Sequence, residues 1–151
     1  MTSEYLYYYF FIAILVYKIL NDNLLGSGMD CIFCKKSSNA LFENNLAYAI
    51  YDEYPVNKGH MLIIPKRHFD NYFDATQNEY LAIQDLIKKC QNMLKEEYNP
   101  DGYNIGINIG YEAGQTIMHL HVHLIPRYKG DVKNPKGGIR NIKKQLAKYD
   151  G

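Results

Sequence analysis

Across Met118 to Arg127 (MHLHVHLIPR) imidazoles recur at every second position, as His119, His121 and His123. An extended chain sends alternate side chains to opposite sides, so this spacing puts three rings on one face and Leu120, Val122 and Leu124 on the other. Packing accounts poorly for three of the chain's five histidines falling within five residues, because every buried ring nitrogen needs a hydrogen-bond partner. Two chemistries suit such a row. The rings can ligate a catalytic zinc that keeps one position open, or one ring can attack as a nucleophile while its neighbours hold the oxygens of a phosphate. A further candidate is Cys31-Ile32-Phe33-Cys34, a C-x-x-C spacing shared by metal sites and redox pairs.

The flanking residues predict the elements that position these groups. Leu46 to Tyr51 and Gly59 to Ile64 read as short strands, punctuated by Pro55 and Gly59 and stopped at Pro65, and together predict a hairpin. Thr76 with Glu79 forms a capping box, after which Tyr80, Ile83, Leu86, Ile87, Cys90 and Leu94 recur at helical spacing as far as Tyr98. Asn99 to Gly102 end that helix. Ile105, Ile107 and Ile109 then alternate as a strand, and after a loop over Gly110 to Gln115 alternation resumes through Ile125. The order predicts an α+β fold, an antiparallel sheet with helices packed on one face. It offers no βαβ unit for a redox pair, so the C-x-x-C is expected to bind metal. His60 is expected to be structural, and Cys90 a small core residue.

Composition limits the partners. The chain has 151 residues, 17 Lys+Arg against 16 Asp+Glu, and a net charge of +1, which supplies no field for generic nucleic-acid binding. Three cysteines do not make the even framework of a secreted disulfide scaffold, so a reducing, cytoplasmic setting is expected. Residues 1–28 differ from the rest. Tyr5 to Tyr17 is an uncharged aromatic and aliphatic run of 13 residues, short of the about 20 a membrane span needs, and Asn21 to Gly28 reads as a linker. This leader is expected to be a marginal membrane anchor, an extension upstream of the true start, or a first helix on the core. Membrane contact is expected only in the first case. The domain proper is expected over 29–151, ending in a lysine- and arginine-rich tail that reads as a solvated face able to assist capture of an anionic substrate.

The run His119 to Ile125, with the preceding Glu112-Ala113-Gly114-Gln115-Thr116 and the following Pro126-Arg127, resembles the histidine triad motif of the nucleotide hydrolase and transferase superfamily. Tyr51 to His68 (YDEYPVNKGHMLIIPKRH) is similar to that family's hairpin. The resemblance runs from about Met29 to about Arg140. It is strongest to the branch holding zinc-containing prokaryotic triad proteins and dinucleoside polyphosphate hydrolases, partly through Tyr128-Lys129-Gly130-Asp131 and Gly137-Gly138-Ile139-Arg140.

The resemblance implies that His121 attacks the α-phosphorus of a nucleotide and forms a nucleotidyl-histidine intermediate that water hydrolyses. A neutral imidazole with one N–H held by an acceptor meets that need, and a neighbouring backbone carbonyl can be the acceptor. By the same match His123, Gln115, Thr116 and Asn108 face the phosphate as donors, and Gly114 lets backbone approach it. Asp52 takes the ribose hydroxyls, and Ile32 with Phe33 line the base pocket. Lys36 falls where some members carry an apolar residue, which leaves base preference open. Cys31, Cys34, His68 and His119 are implied as a closed structural zinc site, one ion per chain and no organic cofactor. The resemblance also implies a homodimer acting on dinucleoside polyphosphates or nucleoside phosphoramidates. Competing readings are a phosphorylase or nucleotidyltransferase, a nucleotide-binding regulator with little turnover, and a zinc hydrolase built on the three histidines.

Overall fold

The computed structural model describes residues 31–142. The expected leader and linker over 1–28 lie outside the described residues, as do the tail lysines 143, 144 and 148. A one-turn helix α1 (Ile32–Lys35) is followed by β1 (Phe42–Glu43), β2 (Ala47–Tyr51), β3 (Met61–Pro65), the long helix α2 (Gln77–Tyr98), β4 (Gly102–Gly106) and β5 (Val122–Arg127). The strands make one antiparallel sheet in the order β1-β2-β3-β5-β4. Strand β5 is therefore interior, between β3 and β4, so the histidine segment runs beside β3 rather than along an edge.

Helix α2 starts where the capping box places it. The Thr76 hydroxyl accepts from the Glu79 N–H at 3.3 Å, and the Glu79 carboxylate accepts from the Thr76 N–H at 2.7 Å. Its Ile83, Leu86, Ile87, Cys90 and Leu94 bury themselves against Ala47, Ala49, Met61, Ile63, Val122 and Leu124 on one face of the sheet. The opposite face carries Tyr48, Ile50, Leu62 and Ile64, and Phe33 of α1 packs on them. The long helix thus covers one face as expected, while α1 adds a small cover to the other. That second face holds the histidines.

Two strand boundaries differ from expectation. Strand β4 begins at Gly102 and its ladder with β5 ends at the Gly106–His123 pair, so Ile107 and Ile109 continue beyond the sheet. Strand β5 begins only at Val122, leaving His119 and His121 ahead of it rather than on one regular strand with His123. The cause lies in β3. It stops at Pro65, its ladder with β5 reaches only the Ile63–Val122 pair, and the Leu120 N–H bonds instead to the Phe69 carbonyl at 2.6 Å. This break bends the chain after β3 back toward His119. Gly59 sets the β2–β3 turn with φ of +80°, and a Cβ there would lie 2.9 Å from a Leu94 methyl, so conformation and space both demand glycine. Among the described residues no helix is long and apolar enough to cross a membrane.

Candidate active site

The row of histidines splits into two environments, and the hydrogen bonds of the rings make the division. His119, with no exposed surface, donates its Nε2–H to the Pro65 carbonyl at 2.8 Å, which leaves Nδ1 as the nitrogen with a lone pair. His121 does the reverse. Its Nδ1–H donates to the His119 carbonyl at 2.8 Å, leaving Nε2 free. Among the described residues no fully buried side-chain nitrogen or oxygen lacks a partner, so an Nε2 that bonds nothing must open onto the cavity that His121 lines.

The free Nδ1 of His119 lies 3.4 Å from the Cys31 sulfur, 3.5 Å from that of Cys34 and 3.2 Å from the His68 Nδ1, and the Cys34 sulfur lies 3.4 Å from His68 Nδ1. Tetrahedral zinc, with bonds of about 2.3 Å to sulfur and about 2.0 Å to nitrogen, spaces sulfur from nitrogen by about 3.5 Å and nitrogen from nitrogen by about 3.3 Å. The four donor atoms, all within 4.8 Å of one another, fit that geometry and can hold a metal ion. Binding a metal there releases the thiol proton. Burial and the neighbouring Cys31 thiol push the Cys34 thiol up, a cost that a bound cation reverses. The Pro65 carbonyl orients His119 from behind. All four sequence-predicted ligands thus come together, and none of them lines the cavity.

That cavity, about 220 Å³, is lined by Ile32, Phe33, Asp52, Thr116, His121 and His123 among others, so six of the sequence-predicted site residues share one wall system. Phe33 is almost wholly buried and sets its ring edge against His121 at 5.1 Å, so it fixes the histidine as well as flooring the cavity. Ile32 is the half-exposed apolar residue at its rim. Asn108 lies across His123, lining the neighbouring cleft with His60, and donates to the Gly114 carbonyl at 3.3 Å. Gly114 takes φ of +84° with only the Asn108 amide nearby, so conformation and not crowding calls for glycine.

Gln115 corrects an expectation. Its amide is buried and fully engaged, by its own loop and by the segment after β3: Oε1 accepts from the Gly110 N–H at 2.7 Å, and Nε2 donates to the Asp70 and Ile117 carbonyls at 3.0 and 3.3 Å. It shapes the loop before the triad instead of presenting a donor to the cavity. His60 corrects another. Expected to be merely structural, it is buried with Nε2 3.0 Å from His123 Nδ1 and Nδ1 3.4 Å from an Asp52 carboxylate oxygen. The Val56 N–H donates to the same His60 Nδ1 at 3.3 Å, so His60 carries its proton on Nε2 and donates it to His123 Nδ1, with Asp52 alongside. Burial, with His121 and His60 alongside, pulls His123 down to about 4, and burial lowers His60 despite Asp52. The sequence does hold a signal for this contact. His60 and Leu62 share a strand face, and Leu62 pairs with His123, but only the β3–β5 pairing reveals it.

Known proteins share this motif and fold. The HIT domain family matches residues 35–130. The chain is 37% identical over 118 residues to an uncharacterised HIT-like protein of Methanocaldococcus jannaschii, covering 74% of this chain and 91% of that one. It is 33% identical over 110 residues to the bis(5'-adenosyl)-triphosphatase of Dictyostelium discoideum, covering 73% and 74%. Among solved structures, a Zn-bound histidine triad family protein from Mycobacterium smegmatis superposes with a TM-score of 0.62 at 32% identity, covering 68% of this chain and 78% of that one. Motif, fold and relatives agree, and the chain belongs to the HIT domain family.

Proposed function

We propose that the chain is a nucleotide hydrolase or nucleotidyltransferase in which His121 becomes covalently nucleotidylated. The observation that carries this is the ring of His121, held through Nδ1–H by the His119 carbonyl with Nε2 free at the cavity. That arrangement fixes the neutral tautomer a nucleophile needs. In the first step the Nε2 lone pair attacks the α-phosphorus, the bond from phosphorus to the leaving oxygen or nitrogen breaks, and the leaving group takes up a proton. In the second, water attacks the same phosphorus, its proton is removed, and the phosphorus–Nε2 bond breaks to free the imidazole. His123, bonded to His60 and lining the same cavity as His121, moves the proton in both steps in this reading. Asp52 holds the ribose, Ile32 and Phe33 flank the base, Thr116 donates to the phosphate, and Asn108 with the Gly114 backbone faces it from the loop.

A zinc ion on Cys31, Cys34, His68 and His119 would supply folding energy and no open position for catalysis. It would fasten α1 to the sheet and so hold Phe33 against His121. The family relation supports a homodimer and a dinucleoside polyphosphate or nucleoside phosphoramidate as substrate; a phosphorylase would run the same first step with inorganic phosphate replacing water in the second. The test is a comparison of kcat/KM across dinucleoside polyphosphates, nucleoside phosphoramidates and nucleotide sugars, with and without phosphate as acceptor. At least one class should turn over with release of a nucleoside monophosphate. Binding without turnover of any would contradict the enzymatic reading and favour a regulator.

A further inference from the structure

Two polar groups line the cavity. His121 and His123 are one, with Asp52 near His60. Glu53, which follows Asp52 in the chain, forms the other with Lys36, its carboxylate meeting the ammonium at 2.7 Å. Lys36 follows Phe33 by three residues, which puts both on one side of the helical turn and explains why both line the cavity. The same cavity has apolar walls from Ile32, Phe33, Ile50 and Leu62. An apolar slot with a few placed polar groups is how proteins orient a flat heterocycle. As a fastener the ion pair is weak, because Glu53 is largely exposed. A ligand edge can therefore enter between its partners at little cost.

We propose that Lys36 and Glu53 read the edge of the nucleobase and select guanine over adenine, an inference that rests on the cavity taking the nucleoside half of the substrate. Guanine offers N1–H and N2–H as parallel donors to one carboxylate, with the O6 acceptor beside them for the ammonium. Adenine can give N6–H to the carboxylate and its N1 lone pair to the ammonium, so Glu53 receives one hydrogen bond from adenine where guanine supplies two. A hydrogen bond to a charged partner is lost in the exchange, and at a partly exposed site that loss corresponds to about tenfold in affinity.

The experiment is equilibrium binding of GMP, IMP and AMP to the full chain and to its Lys36→Leu and Glu53→Ala variants, with melting temperatures to confirm folding. GMP should bind about tenfold more tightly than AMP, and IMP, which keeps O6 and N1–H but lacks the 2-amino group, should fall between. Each variant should bring the GMP:AMP ratio toward one by weakening GMP while changing AMP less. Equal affinities in the wild type, or a preference that survives both substitutions, would overturn the base-reading role and leave the nucleotidylation reading standing. Failure of all three nucleotides to bind would overturn that reading and this one together.

Discussion

His119 and His121 stand two residues apart, yet a single difference in hydrogen bonding gives them different chemistry. His119 spends Nε2–H on the Pro65 carbonyl and turns Nδ1 to two sulfurs and His68, whereas His121 spends Nδ1–H on the His119 carbonyl and turns Nε2 to the cavity. In both, a backbone carbonyl selects the tautomer and leaves the other nitrogen with a lone pair. The comparison teaches that a histidine's role here follows from the atom behind the ring. It also separates what each loss should do: damage at His121 should stop chemistry in a folded protein, and damage on the His119 side should unfold the frame.

The largest expected effect is on turnover. His121→Ala should lower kcat by about four orders of magnitude or more, as removal of a covalent nucleophile does, while nucleotide affinity stays within a few-fold and the melting temperature holds. Steady-state kinetics beside binding titration check it, and retained turnover would break the division. Next comes the metal side. Protein purified without added metal should carry about one zinc per chain by elemental analysis, and Cys34→Ser should lose that zinc and destabilise the fold by several kcal/mol, on the order of 3–5. Its kcat per folded molecule should fall far less than that of His121→Ala. Absence of zinc would remove the site.

A smaller effect sharpens the same contrast through the segment that carries His68. Arg67 grips the Glu79 carboxylate through Nε and Nη2 at 2.8 and 2.9 Å, tying the turn after β3 to the first turn of α2. Glu79 is almost fully buried, and the Arg67 hydrogen bonds hold its carboxyl at about 2 instead of the ordinary 4.5. A carboxyl depressed on folding adds stability that is complete above pH 4.5 and disappears as pH falls toward 2; the shift corresponds to about 3 kcal/mol at neutral pH. Glu79→Gln should cost on that order at pH 7 in denaturant titrations, and the gap to wild type should narrow steadily below pH 4.5. A gap that does not change with pH would mean the ion pair contributes no net stability.

Much of this was legible in the sequence because it rests on local rules. The alternation of Leu120, Val122 and Leu124 with the histidines, the Thr76–Glu79 capping box and the C-x-x-C spacing each report on neighbours within a few residues. What escaped depends on contacts between distant segments. The partnership of His60 with His123 requires the β3–β5 pairing. The start of β5 at Val122 follows from where Pro65 ends its neighbour, and the commitment of the Gln115 amide follows from the approach of Asp70, in the segment after β3. The Lys36–Glu53 pair likewise joins α1 to the turn after β2.

The most direct test is a rapid-quench reaction with a nucleotide labelled at the α-phosphorus, followed by mapping of the labelled peptide. The label should appear within a single turnover on the segment bearing His121, attached through nitrogen and therefore acid-labile and base-stable, and should be absent in His121→Ala. Label on another residue, or product released into labelled-oxygen water with no captured adduct and no net retention at phosphorus, would contradict covalent catalysis by this ring.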